Sequence, residues 1–252
     1  MPCSLGGVLM ISFLSPIWIL LFVVDAVAIA VLTFKLRKNS EEAERVLTII
    51  AAVNLVYFAF YKFMLSRQTV VPFNWFNEMP LNLCNICSFL IIIAIKTRKT
   101  FLMGFCYCFG LIGCFLALLV PDPDFINVSF LSPMGYGFWI THHCLLVLCI
   151  SLVSTGLYTP KYSDYPKMLL FLAVLYLSIY GINIVLRKIS GYPVNYMYTF
   201  GLPGNIIMDT MYRIFPIYPF YIMPIVIPLS PFAFLLMYIG RLVNRNKADA
   251  KV

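Results

Sequence analysis

The chain has 252 residues, of which 62% are hydrophobic, 16% aromatic and only 11% charged, whereas soluble domains carry about a quarter charged residues. With a mean hydropathy of +0.92, this composition excludes a water-soluble domain, and no polar stretch is long enough to enclose a core. The net charge of +8 sits in short basic clusters between apolar runs, a pattern of membrane topology signals that excludes a nucleic-acid-binding stripe.

Seven apolar segments, near 12–34, 46–65, 79–96, 101–120, 133–155, 167–187 and 218–240, are long enough, or nearly so, to cross ~30 Å of hydrocarbon at about 20 residues each. The expected fold class is therefore all-α: one transmembrane domain over residues 1–252, built as a polytopic helix bundle. No Lys or Arg precedes the first segment, so it reads as a retained span and not as a cleavable signal peptide. Asp25 stands alone at its mid-depth. An intramembrane carboxylate is a functional-site candidate, and two roles are open to this one: orienting a histidine, or bonding Asn54 or Asn183 on a neighbouring helix. In the charged loop that follows, Asn39-Ser40-Glu41-Glu42 reads as the start of the second helix.

The third segment opens with the polar island Asn82-Leu83-Cys84-Asn85. Pro80 suits a first helical position, where its missing N–H costs nothing, and that start would put Cys84 about one turn inside. At about 100° per residue, Cys84, Asn85 and Ser88 share one face and Cys87 points away from it. The Cys84/Cys87 spacing also resembles a redox motif or half of a zinc site. A second pair with suitable spacing is missing, and Cys106-Tyr107-Cys108 does not supply it, so no metal is expected. All cysteines but Cys3 lie in apolar segments and read as small hydrophobes, not as a disulfide framework. After the fourth segment, Pro121-Asp122-Pro123-Asp124 reads as an extended turn.

Both histidines of the chain, His142 and His143, fall in the fifth segment. They face directions about 100° apart, so only one can point at a given partner. The plain reading is a histidine hydrogen-bonded between helices; the sharper one is a general base for a nucleophile. The stretch from Gly191 to Pro231 is rich in proline. Within it, residues Asn205 to Phe215 read as a short interfacial or re-entrant helix carrying Asp209 and Arg213, followed by a proline-broken last span. Placing the N-terminus outside and the C-terminus inside internalises Lys35–Arg45, Lys96–Lys99, Lys161, Lys167 and Arg241–Lys251, as the positive-inside rule favours. Cys84 and His142 then lie on helices that both enter from the outer side, His142 the deeper of the two by rise per residue.

Three runs carry a resemblance: Met79-Pro80-Leu81-Asn82-Leu83-Cys84-Asn85-Ile86, Trp139-Ile140-Thr141-His142 and Asn195-Tyr196-Met197. With Pro203, Asp209 and Pro216-Ile217-Tyr218-Pro219-Phe220-Tyr221, they resemble the YwaF-type bacterial integral membrane family, which is TMEM164-like, over about residues 45–240. The resemblance implies a multi-helix membrane fold. Through eukaryotic relatives it also implies an acyltransferase or hydrolase acting on lipids, with a nucleophilic cysteine and a histidine that fall on Cys84 and His142. His143 occupies a position where relatives often have a small residue, so the resemblance does not make it the base. Asn82 stands where many bacterial members have a second histidine, and a mechanism needing a second base there is not implied.

The expectation is thus a multi-pass protein of the cell membrane, the bacterial cytoplasmic membrane, embedded in lipid and acting on a phospholipid or lysophospholipid. Amide donors from Asn85 or Asn195 would stabilise an oxyanion, with Asp25 and Asp209 as orienting candidates. Neither a GxGxxG fingerprint nor a P-loop is present, and no cofactor is expected; no nucleic-acid partner is expected either. The alternative class is a non-enzymatic transporter or scaffold whose intramembrane polar residues only hold helices together. The sequence shows neither a chain of acidic residues nor matching half-helices in its two halves, which speaks against a coupled transporter.

Overall fold

A computed structural model describes residues 11, 14–68, 73–121, 128–201 and 206–249. Among these residues the chain forms helices and no β-strand: α1 (Pro16–Leu36), α2 (Ser40–Ser66), α3 (Trp75–Glu78), α4 (Leu83–Thr97), α5 (Thr100–Leu119), α6 (Pro133–Ser154), α7 (Tyr165–Ser190), α8 (Ile206–Ile214) and α9 (Met223–Asp249). Six of them, α1, α2, α5, α6, α7 and α9, are long and apolar enough to cross a membrane, while α4 is a shorter apolar helix. Local chemistry sets several starts. The Ser15 hydroxyl accepts the Trp18 N–H ahead of Pro16, and Ser132 accepts the Gly135 N–H ahead of Pro133. Asn39 accepts the N–H groups of Glu41 and Glu42 at 3.1 Å each, so α2 begins where the charged loop signals it.

The bundle is arranged around α6, which buries fifteen of its 22 residues and packs on α1, α2, α4, α5 and α9. Helix α1 lies at the periphery, with only Asp25 and Leu36 buried. Polar contacts fasten it along its length: Trp18 Nε1 donates to the Leu118 carbonyl at 3.1 Å, Thr33 Oγ1 to Ser154 Oγ at 2.7 Å, and Arg37 to the Val243 carbonyl. Lipid tails are as apolar as leucine, so burial gives a lipid-facing helix little reason to associate, and hydrogen bonds and close packing decide where it sits.

Two expectations are corrected. Helix α4 begins at Leu83, with Asn82 as its cap, and not at Pro80. Its 15 residues reach about 22 Å, short of the ~30 Å hydrocarbon thickness. At its far end Lys96 and Arg98 pair with Glu44 of α2 at 3.3 and 2.5 Å. Its N-terminal end therefore stops inside the bundle. The prolines of the last segment do not break it: Pro228 and Pro231 lie within one helix, α9. Membrane helices carry proline where neighbouring groups satisfy the backbone it frees. Helix α8 coincides with the expected short helix. Cys3, Asp122, Pro123, Asp124, Pro203, Asn205 and Lys251 lie outside the described residues.

Two irregular segments, residues 73–82 and 192–201, cover the N-terminal end of α4, and their backbone groups are satisfied by side chains. The Tyr196 hydroxyl accepts the Met79 N–H and donates to the Phe76 carbonyl, both at 2.7 Å. Asn183 of α7, fully buried, accepts the Tyr196 N–H at 3.1 Å and donates to the Tyr196 carbonyl and to Thr199 Oγ1, both at 2.8 Å. Arg187 Nε donates to the Val194 carbonyl at 2.6 Å and its guanidinium lies over the Phe200 ring at 3.8 Å. Non-helical backbone survives at membrane depth only when it is bonded in this way or lines a cavity.

Candidate active site

The site begins with a glycine. A Cβ on Gly137 of α6 would lie 2.4 Å from Cδ2 of Tyr61, so only glycine lets α2 bring that ring so close. Five residues further along α6, the Nδ1–H of His142 donates to the carbonyl of Phe138 at 2.7 Å. A carbonyl only accepts, so this bond fixes the tautomer and leaves Nε2 as an acceptor.

Beside that ring is Cys84, within electrostatic reach of His142. Cys84 is the second residue of α4 and only partly buried. The sulfur also lies against its own backbone N–H and that of Asn85. First-turn N–H groups have no carbonyl partner within a helix, and here no side-chain cap serves them. The usual capping atom is diverted: Asn82 Oδ1 accepts the Met197 N–H at 3.0 Å instead. The thiol thus stands in the first turn, at the positive end of the helix.

Tyr61 is in electrostatic contact with both Cys84 and Glu78. Next to it, Lys62 forms an ion pair with Glu78, the two side chains 19% and 21% exposed, and its ammonium sits 5.2 Å from the Tyr61 ring centroid. Sequence reasoning passed over Tyr61, Lys62 and the uncapped backbone donors. The available signal was Gly137, a small residue on the same helix as the candidate base.

The other expected site residues are distributed differently. Asp25 does not reach His142, Asn54 or Asn183; its Oδ2 accepts from Nδ1 of His143 at 2.5 Å, because the ring that faces α1 is the one turned about 100° from Cys84. Asn195 spends one amide hydrogen on its own loop, donating to the Gly201 carbonyl and accepting the Phe200 N–H at 3.0 Å. The Asn85 side chain stays near, with Oδ1 3.9 Å from the Cys84 sulfur. Asp209 interacts electrostatically with Tyr218, whose ring stacks on Tyr212 at 4.8 Å, in a tyrosine cluster by α8. Cys87 is fully buried and lies within electrostatic reach of Cys106. All seven described cysteines are free thiols, and among the described residues no group of three or more His, Cys, Asp or Glu is placed to hold a metal ion.

Neither a curated protein nor a solved structure matches this chain. The sequence profile of the TMEM164 family, however, matches residues 10–238, a range that takes in every helix from α1 to α8 and most of α9. The profile thus covers the short helix with Cys84, the central helix with His142 and the cover over both, and the chain is an integral, multi-pass membrane protein that belongs to the TMEM164 family.

Proposed function

We propose that the protein is a lipid-directed acyltransferase or hydrolase in which Cys84 is the nucleophile and His142 the general base. The observation that supports this reading is the placement of Cys84 within electrostatic reach of His142, whose Nδ1–H is held by the Phe138 carbonyl so that Nε2 is free to accept a proton. In the first step Nε2 takes the thiol proton and the sulfur attacks an ester carbonyl of a phospholipid. The tetrahedral oxyanion accepts hydrogen bonds from the uncapped N–H groups at the start of α4. On collapse, the C–O bond breaks and the leaving alkoxide takes the proton from His142, leaving a thioester on Cys84. A lysophospholipid hydroxyl or water then gives its proton to Nε2 and attacks the thioester, and the returning proton regenerates the thiol. The setting is the bilayer of a bacterial cytoplasmic membrane.

A charged sulfur in hydrocarbon is costly without donors nearby. The helix N-terminus and His142 supply them, which supports a thiolate at this position. Vesicles containing a phospholipid with an alkyne-tagged acyl chain test the reading: wild-type protein acquires hydroxylamine-labile label and Cys84→Ala does not. Label that persists in Cys84→Ala refutes it.

A further inference from the structure

The Asp25–His143 pair has no part in that chemistry. Each residue is 6% exposed, and they meet at 2.5 Å in the middle of the bundle, where ionisable groups are expensive. Attachment of α1 does not account for the pair, since Trp18, Thr33 and Arg37 already fasten that helix. Replacing a buried charged pair with packed apolar residues is often neutral or stabilising. Beside the pair lies a cavity of about 340 Å³ between α1, α5, α6 and α9, lined among others by Phe22, Ala26, Ile29, Phe115 and Phe232. Such a volume is at the lower end of ligand sites, ~300–1,000 Å³. Among the described residues that line it, Asp25 alone is polar. Phe115 and Phe232 are 38% and 42% exposed on the surface that meets lipid, so the cavity is reached from the bilayer.

We propose that this cavity binds a neutral, single-chain amphiphile with a hydroxyl headgroup, the chain against the apolar wall and the hydroxyl donating to Asp25. The carboxylate is an acceptor with lone pairs beyond the one that takes His143 Nδ1–H. A fatty-acid anion brings a like charge and no donor. An alkane brings no donor to the carboxylate. A zwitterionic headgroup brings charges for which no lining residue offers a counter-charge apart from Asp25 itself. The site is separate from Cys84 and does not rest on acyl transfer.

The test uses the full chain in nanodiscs, with a diazirine-bearing dodecanol as photoprobe and 1-dodecanol, dodecane and dodecanoate as competitors. Dodecanol displaces the probe, and the other two do so at least about tenfold less well, as expected for loss of a hydrogen bond to a charged group. Labelling maps to α1 or α9. Ala26→Phe fills the cavity without touching the pair and abolishes labelling. The double variant Asp25→Leu/His143→Leu, which leaves no orphaned partner, weakens labelling at least about tenfold; should it fail to fold, Ala26→Phe decides. Equal competition by dodecane, or labelling unchanged in Ala26→Phe, overturns the proposal.

Discussion

Gly137→Ala is the most direct test of how the site is assembled. The added Cβ would lie 2.4, 2.6 and 2.8 Å from three atoms of the Tyr61 ring, where carbon atoms normally sit ~3.5–4.0 Å apart. The ring must retreat by about 1 Å, or α2 and α6 must separate by as much. Overpacking of this kind costs about 1–3 kcal/mol. Because Tyr61 neighbours Cys84 and His142 lies on the same helix as Gly137, a displacement of that size should slow acyl labelling by about a hundredfold. The assay is thermal unfolding and labelling rate, each measured for Gly137→Ala, Tyr61→Leu and the double variant. If the clash is with the Tyr61 ring, the alanine costs less than about 0.5 kcal/mol in the Tyr61→Leu background, a coupling of about 1 kcal/mol or more. Equal cost in both backgrounds refutes the reasoning.

Three further outcomes are expected. His142→Gln lowers the acylation rate by about 10²–10⁴, the usual worth of a general base, with little change in unfolding temperature; an unchanged rate removes His142 from the chemistry. Asn183→Leu strips three hydrogen bonds from the cover over the site and destabilises by about 2–4 kcal/mol through the buried groups it orphans. Thermal unfolding measures it, and a loss below about 1 kcal/mol would show that the cover is not held by this residue. Cys87→Ala leaves labelling intact because Cys87 is buried in the core while Cys84, on another face of α4, is only partly buried; loss of label as complete as in Cys84→Ala would mean that the two thiols act together.

The cover itself stores strain. Met197 and Tyr198 both have φ of 53°, a left-handed conformation that costs a non-glycine residue of order 1–3 kcal/mol and persists only where surrounding bonds over-determine it. Here those bonds come from Asn82, Asn183 and Tyr221. Asn195-Tyr196-Met197, a run that carries the family resemblance, thus closes the end of α4 through backbone geometry, while Asn82 links that cover to the helix bearing the nucleophile.

Helix starts were legible wherever a signal is local. Asn39 marks its helix because an N-cap acts over three residues. The start of α4 was not legible, because Asn82 is drawn to the Met197 N–H, 115 positions away, and the helix begins three residues after Pro80. That shift leaves Cys84 in the first turn of a short helix whose far end is tied to α2 through Lys96 and Arg98. The run of prolines misled in the same way. Proline removes one donor at its own position, and whether a helix continues past it depends on what its neighbours can bond.

By itself the sequence determined that the chain lives in a membrane, is all helical, and buries a thiol, two imidazoles and a lone carboxylate. These follow from composition and from the requirement that backbone groups in lipid be bonded within their own segment. Only the tertiary structure decided the partners. His142 lies within electrostatic reach of Cys84, His143 meets Asp25, and the first turn of α4 is left without a side-chain cap. Adjacent residues on one helix differ by about 100° in direction, and which direction meets which neighbour is set by close packing such as that of Gly137 on Tyr61, information that no local stretch of sequence holds.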